Sequence, residues 1–360
     1  MKKFLALMLA LVMVFALAAC GEPATEETTP AGEETTPAGE ETTPAGEETT
    51  PAAEPVTLNI GYMNNYGSLW SLITAREMGY MEEQGIDLNL ISFDSGPNII
   101  AAMEGGSVDI GYIGDGAHSL CVQGNASIIT LSHISTGDAV IGGPNVQTIA
   151  DLEGKTVAYS TGTTSYNILV QALASVGLTM DDINGMDMDP SSMVSAMLSE
   201  NVDACAIWSP QSATILSEVE GATLLADNTT FGSDSIALSS WIVLPKNLEP
   251  MHDVLVRFLT ALFKGMDYAA EENHEQVAQW VADELVVEYE TSLGETTSGK
   301  WLTGEQVYNG VKDGTVQGYY ELQQSLMVDA GTITEAVPVE NYVAFDLITE
   351  VGDALYGEAA

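Results

Sequence analysis

Beyond residue 55 the chain switches repeatedly between apolar positions of period two and apolar positions that recur every three to four residues. Residues 56–63 (VTLNIGYM) alternate as a strand and stop at NNYGS. Residues 69–85 (LWSLITAREMGYMEEQG) have helical spacing, with Gly79 and Gly85 as stop signals. A strand at 86–93 (IDLNLISF), a turn DSGPN, a helix at 99–106, a strand in VDIGYIG and a strand at 127–134 (SIITLSHI) follow. After IGGPNVQTIADLEG the order restarts: strand 155–160, turn TGTTS, helix 166–178, a weaker strand in INGMDMD, helix SSMVSAMLSENV, strand DACAIW, helix QSATILSEV and an extended run at 222–227. Residues 235–244 (SIALSSWIVL) form a long extended run, and the remainder reads as mostly helical. Strand-turn-helix order predicts an α/β fold, here of two lobes, each a sheet flanked by helices.

One unit occurs twice. Residues 102–114 (AMEGGSVDIGYIG) and 196–208 (AMLSENVDACAIW) agree at Ala-Met, at Val-Asp and at one Ile, at the same offsets. Each reads as a helix, a Val-Asp turn and a strand. Val108 and Val202 suit a sheet interior. Asp109 and Asp203 suit side-chain to backbone bonds at the turn, a structural role. The endings differ: Gly114-Asp115-Gly116 in one copy, Trp208-Ser209-Pro210 in the other. Ligands of open α/β sheets bind beyond strand carboxyl ends, which sets these two turns across a cleft.

The first 55 residues follow neither period. Lys2 and Lys3 precede a short apolar run at 4–18 that ends in LAAC, residues 17–20, and Gly21. The run is shorter than a permanent span requires. This resembles the bacterial lipoprotein signal, in which the Cys, here Cys20, receives a diacylglycerol and becomes the N-terminus. Residues 21–55 then repeat EETTPAG four times with small edits. With nothing apolar to bury, this stretch is expected to be a disordered tether, spanning about 30–35 Å as a random coil and more with self-repulsion.

Charge and candidate chemistry narrow the function. Nine bases stand against 52 acids, a formal charge of −43, which excludes nucleic acid and attraction to anionic lipid as partners. Beyond residue 55, seven bases face 42 acids. Cys121 and Cys205 sit in apolar stretches without metal-ligand spacing, and the four histidines are scattered, so no metal and no cofactor is expected. No adjacent nucleophile and base, phosphate loop or metal cluster argues for an enzyme. The carboxyl-end turns supply the candidate ligand-binding residues: Asn64, Asn65 and Tyr66 with the nearby Trp70; Ser95; Asp115 and His118; Thr163, Thr164 and Ser165; and Trp208 and Ser209. The TGTTS hydroxyls and helix N-terminal amides make an acceptor-binding site without a cation, and the same residues also read as N-caps. Trp208, at a strand end, reads as a flat ligand platform. Trp70 fits the apolar face of its helix equally, and His118 alone also reads as structural.

Five segments carry a family resemblance: AREMGYMEEQGIDLNL (75–90), AAMEGGSVDIGYIG (101–114), LEGKTVAYSTGTTS (152–165), LASVGLTMDDI (173–183) and SAMLSENVDACAIWSP (195–210). In this order they resemble the nitrate/sulfonate/taurine group of ABC-transporter substrate-binding proteins, which includes thiamine-precursor binders. The resemblance implies a type II periplasmic-binding fold with lobe I at 56–140 and 241–360 and lobe II at 141–240. DAVIGG (138–143) and SIALSSWIVL (235–244) would be the crossovers. It implies a monomer, lipid-anchored through Cys20 on the extracytoplasmic face of the cell membrane, that captures a small organic molecule or oxyanion and delivers it to an ABC permease. Arg76 and Arg257 lie outside the cleft turns, so a neutral or cationic heterocycle, such as a thiamine pyrimidine precursor, is an alternative ligand. An enzyme or a sensor on the same fold is an alternative function.

Overall fold

The computed structural model describes residues 54–232 and 236–357. Among them, eleven strands form two sheets: β1 (Val56–Met63), β2 (Ile86–Phe93), β3 (Ile110–Ile113), β4 (Ser127–Ser135), β5 (Asp138–Gly142), β6 (Thr156–Tyr159), β7 (Asn184–Asp187), β8 (Ala204–Trp208), β9 (Thr223–Asp227), β10 (Leu238–Val243) and β11 (Gly299–Trp301). The first sheet runs β11-β4-β10-β3-β1-β2 and the second β7-β6-β8-β5-β9. Helices flank both, which is the α/β architecture expected from the alternating periods. The signal segment, Cys20 and most of the tether lie outside the described residues, and no helix among those described is long and apolar enough to cross a membrane.

The doubled order in the sequence corresponds to two copies of one topology. In each lobe a first strand (β1, β6) pairs in parallel with a second (β2, β7) and a third (β3, β8). An antiparallel strand lies beside the third, β10 on β3 and β5 on β8, and a last strand, β4 or β9, pairs antiparallel with it. That antiparallel strand comes from chain that has just left the other sheet, since β5 follows β4 and β10 follows β9. The chain therefore passes between sheets at Thr136 and Gly137, and again between Asp227 and Leu238. Most of the segments read as crossovers, 138–143 and 235–244, is built into the sheets as β5 and β10. β11, in a region read as helical, adds a short edge to β4, with Trp301 opposite His133.

The repeated Val-Asp unit explains why one helix-strand unit is written twice. Val108 and Val202 are both buried. Asp109 Oδ2 accepts the backbone N–H of Asn59 at 2.8 Å, and Asp203 Oδ2 accepts that of Thr156 at 2.9 Å. The backbone completes each clamp, with Asp109 N donating to Asn59 O and Asp203 N to Thr156 O, both at 2.8 Å. Each aspartate thus ties the turn before the third strand to the first strand of its own lobe, satisfying a backbone donor that would otherwise lack a partner.

The larger core belongs to the first lobe. Helix His252–Ala269 places Leu255, Phe258, Leu259, Leu262, Phe263 and Met266 on one face, the three-to-four spacing of an amphipathic helix. It packs against helix Tyr66–Glu77 so closely that a Cβ on Gly265 would stand 2.4 Å from the Ser71 carbonyl oxygen. Trp70 and Trp241 are fully buried in this core. The second lobe carries a thinner cluster on each face of its sheet, one around Val157 and Leu169, the other around Met193 and Ile207. Cys121 and Cys205 are free and buried, and burial pushes the Cys205 thiol up to about 12.

Candidate functional site

Strand ends from both sheets meet at one cleft of about 440 Å³. The first lobe contributes Met63 at the end of β1, Tyr112 and Gly114 at the end of β3, Ser135 at the end of β4, and Ser239 in β10. The second contributes Asp138, which begins β5, the loop Gly162-Thr163-Thr164 after β6, and Trp208 at the end of β8. Local sequence fixes several of these. Asn65 caps helix Tyr66–Glu77 by accepting from Ser68 N at 2.9 Å, and its residue also lines the cleft. Thr163 caps helix Thr164–Ser175, its Oγ1 accepting from Tyr166 N at 3.4 Å. A second compartment of about 330 Å³ shares Asn65, Tyr112, Ser135 and Trp208 with the first and adds His133, Ser209, Glu295, Ser298 and Trp301.

The side chains of this surface are acidic or neutral. Among the described residues no Lys or Arg lines either compartment. Arg76 is engaged with Glu77 and Glu284, Arg257 with Asp253, and Lys264 with Glu83, all away from the cleft. Asp138 accepts from Ser165 Oγ at 2.7 Å, Ser135 Oγ at 3.1 Å and Asn228 Nδ2 at 3.3 Å. Burial nonetheless raises its carboxyl above the ordinary range, those donors pulling the other way. Burial pushes Glu295 up to about 8 and His133 down to about 3, so the imidazole is neutral at pH 7.

Of the residues expected from the turns, Asn65, Thr163, Thr164, Trp208 and Ser209 line the two compartments. Ser165 stands behind the wall and reaches it through Asp138. Gly114 and Trp208, the two endings of the repeated unit, both line the main cleft. The other expected residues are placed elsewhere. Asn64 is exposed and accepts from Ser92 Oγ at 3.1 Å. Ser95 precedes helix Gly96–Glu104 and is buried. Tyr66 is buried edge-on to Trp301, and Trp70 lies in the core, its Nε1 donating to Ser132 Oγ at 3.1 Å.

Asp115 and His118 form a buried network between the lobes. Asn167, on the second-lobe helix, donates to Asp115 Oδ2 at 2.9 Å, and Gln323 Nε2, on helix Thr315–Asp329, donates to Oδ1. The same Gln323 amide lies against His118, with Nε2 at 2.7 Å and Oε1 at 2.9 Å from Nδ1. Burial pushes Asp115 up to about 6 and His118 down to about 4.

Tyr112, Ser135, Asp138 and Ser239 were not among the expected residues. Tyr112 lies within a strand, Ser135 just beyond the strand read at 127–134, and Asp138 and Ser239 in the segments read as crossovers, and none of these readings marks a side chain as turned to the cleft. Glu295 and Trp301 arrive from a helix and an edge strand far along the chain, and nothing local in their sequence marks a cleft.

A family model described as NMT1/THI5 like matches residues 68–276. A protein of Brucella abortus (strain 2308), named only as a binding protein, is 30% identical over 294 residues, 82% of this chain and 92% of its own length. The solved alkanesulfonate-binding protein SsuA from Xanthomonas axonopodis pv. citri, bound to MOPS, matches with a TM-score of 0.62 at 22% identity, covering 81% of this chain and 99% of that one. The desulfurization enzyme DSZB matches with a TM-score of 0.57 at 14% identity, covering 83% and 99%. The two solved structures share the fold, and one binds while the other is an enzyme, so function has to be argued from the site.

Proposed function

This chain belongs to the NMT1/THI5-like family, and on that premise we propose that it is the extracytoplasmic solute-binding component of an ABC importer. It captures a small organic solute in the interlobe cleft and delivers it to a membrane permease. The observation that carries this reading is the cleft: strand ends of both lobes converge on a cavity lined by the aromatic residues Trp208 and Tyr112 with Asn65, Ser135, Thr163, Thr164 and Ser239. Flat apolar faces with a few hydrogen-bonding groups are the composition of a small-molecule site. The binding names of two relatives support it.

A sulfonate or other oxyanion is the second reading of the ligand. It is favoured by helix Thr164–Ser175, which starts at the cleft wall with its hydroxyls and N-terminal amides. Against a bare anion stand Asp138 in the cleft and the absence of a lining Lys or Arg among the described residues. An enzyme reading finds less support, because the hydroxyls of Ser135 and Ser165 donate to Asp138 rather than face a histidine.

The anchor is Cys20, and residues 21–55 give the body reach. The test is retention: the protein, incubated with a solute extract and washed, is denatured and its released molecules are read by mass spectrometry. A solute recovered unchanged supports capture, and a converted product supports an enzyme. Cys20→Ala is expected to leave the membrane fraction, and a variant that remains there with its signal removed would refute the anchor.

A further inference from the structure

Glu295 ends helix Tyr289–Glu295 and lines the second compartment at 5% exposure. Its Oε2 accepts the backbone N–H of Tyr66 at 3.0 Å, which fixes the carboxyl in place. Its Oε1 is buried without a hydrogen-bond partner. A buried acceptor of this kind carries an uncompensated desolvation cost until something donates to it. The surrounding walls are aromatic. Trp301, held by its Nε1 donating to Thr296 O at 2.7 Å, has its ring centre 4.6 Å from that of His133. His133 in turn stacks on Tyr112 at 6.1 Å with an interplanar angle of 14°. Trp208 stands where this compartment opens into the main cleft. A carboxyl with one free oxygen, set among π faces and without a cation, matches a positively charged nitrogen.

Resting on the solute-binding reading above, we infer that the Glu295 compartment receives a primary ammonium end of the solute. One N–H donates to Glu295 Oε1, the charge lies against Trp301 and Tyr112, and the rest of the molecule extends past Trp208 into the main cleft.

Benzylammonium and benzyl alcohol, which share size and ring but not charge, are the probes, titrated calorimetrically into the full-length protein. Benzylammonium is expected to bind about tenfold more tightly or better, the scale of one charge-assisted hydrogen bond. Glu295→Gln, checked for folding by its melt, should erase the preference. The second readout is pH. The titratable groups around Glu295 are Tyr66, whose backbone binds it, and Tyr112 on β3 and His133 on β4, which line the same compartment; Asp138 on β5 lines the adjoining main cleft. The two tyrosines are pushed above their ordinary range by burial, and His133 is pushed down to about 3. With Glu295 held at about 8, affinity for benzylammonium should rise from about pH 6 to about pH 8.5 in wild type and in Asp138→Asn, and stay flat in Glu295→Gln. Equal affinities for the two probes, no benzylammonium binding at millimolar concentration, or a preference kept in Glu295→Gln would overturn the subsite. If that variant does not fold, a flat wild-type pH profile overturns it. Solutes retained from an extract that all lack a basic nitrogen would sink the subsite while leaving the importer reading intact. Retention of no solute would sink the importer reading, while the probe titrations still judge the subsite.

Discussion

At the scale of single residues, Trp208 carries the sharpest expectation. It is half-buried at the end of β8 and borders both compartments. Loss of one stacked face removes about 0.5–1.5 kcal/mol beyond area burial. Apolar transfer adds about 25 cal/mol per Å². Trp208→Ala is therefore expected to weaken capture of the retained solute at least about tenfold, with a melting temperature shifted far less than by loss of the core residue Trp241. Unchanged affinity with a large drop in melting temperature would make Trp208 a packing residue. The paired aspartates give the opposite signature. Asp109→Ala and Asp203→Ala each strand a backbone N–H, at a cost of about 1–3 kcal/mol in stability, with affinity preserved in chemical-denaturation and binding series run side by side. Legibility in the sequence follows the same division. Residues at turns after strands, such as Thr163, Thr164 and Trp208, could be placed at the cleft because strand direction alone locates them. Asp115 and His118 satisfied the same rule, yet Gln323, more than 200 residues away, draws both into a buried network, and no local pattern reports a partner so distant.

At the scale of elements, the loop after β3 and the loop after β6 press together across the lobes. A Cβ on Gly116 would stand 2.2 Å from the Thr163 carbonyl carbon, and one on Gly114 would meet Thr164 Oγ1 at 3.1 Å. The first cannot be relieved by turning a side chain, since the obstacle is backbone. Gly116→Ala is expected to hold the two loops apart, lowering solute affinity more than tenfold by calorimetry while each lobe keeps its circular-dichroism signature. Wild-type affinity in that variant would show that the loops separate without consequence for the cleft. The doubled strand-helix order was readable because each element carries its own period. The exchange of β5 and β10 could be read only as the two crossovers that the resemblance implies, because an apolar run by itself states that it lies in a sheet but not in which sheet.

At the scale of the whole molecule, the buried titratable groups set a pH profile. Asp115 at about 6 and Glu295 at about 8 keep protons in the native state that the unfolded chain has released above about pH 4. Their contribution is complete below that value and is lost as pH climbs through 6 and then 8. His118 at about 4 and His133 at about 3 refuse protons that the unfolded chain accepts below about pH 6.5. Their contribution is complete above 6.5 and is lost as pH falls. The two slopes oppose each other between about pH 4 and pH 6.5, with the histidine slope alone below that window and the carboxyl slope alone above it, each fully shifted group acting with up to about 1.4 kcal/mol per pH unit. Melts across the range should show a broad mildly acidic maximum with losses on both sides, and Glu295→Gln should flatten the alkaline limb. A wild-type melting temperature that stays flat from about pH 6.5 to pH 8.5, as in Glu295→Gln, would mean that Glu295 is already ionised in the folded protein. The strand exchange between the sheets bears on a different matter, the order in which the protein is made. A nascent chain that has emerged only as far as Asp227 holds a complete second sheet, but its first sheet has β3 and β4 with a vacant lane between them. Neither edge finds its ladder partner until β10 follows. The amino-terminal lobe, synthesised first, is thus the later of the two to be finished: a ribosome-bound or exported chain keeps that lane vacant until Val243 is available, and its first sheet gains the edge strand β11 only with Trp301.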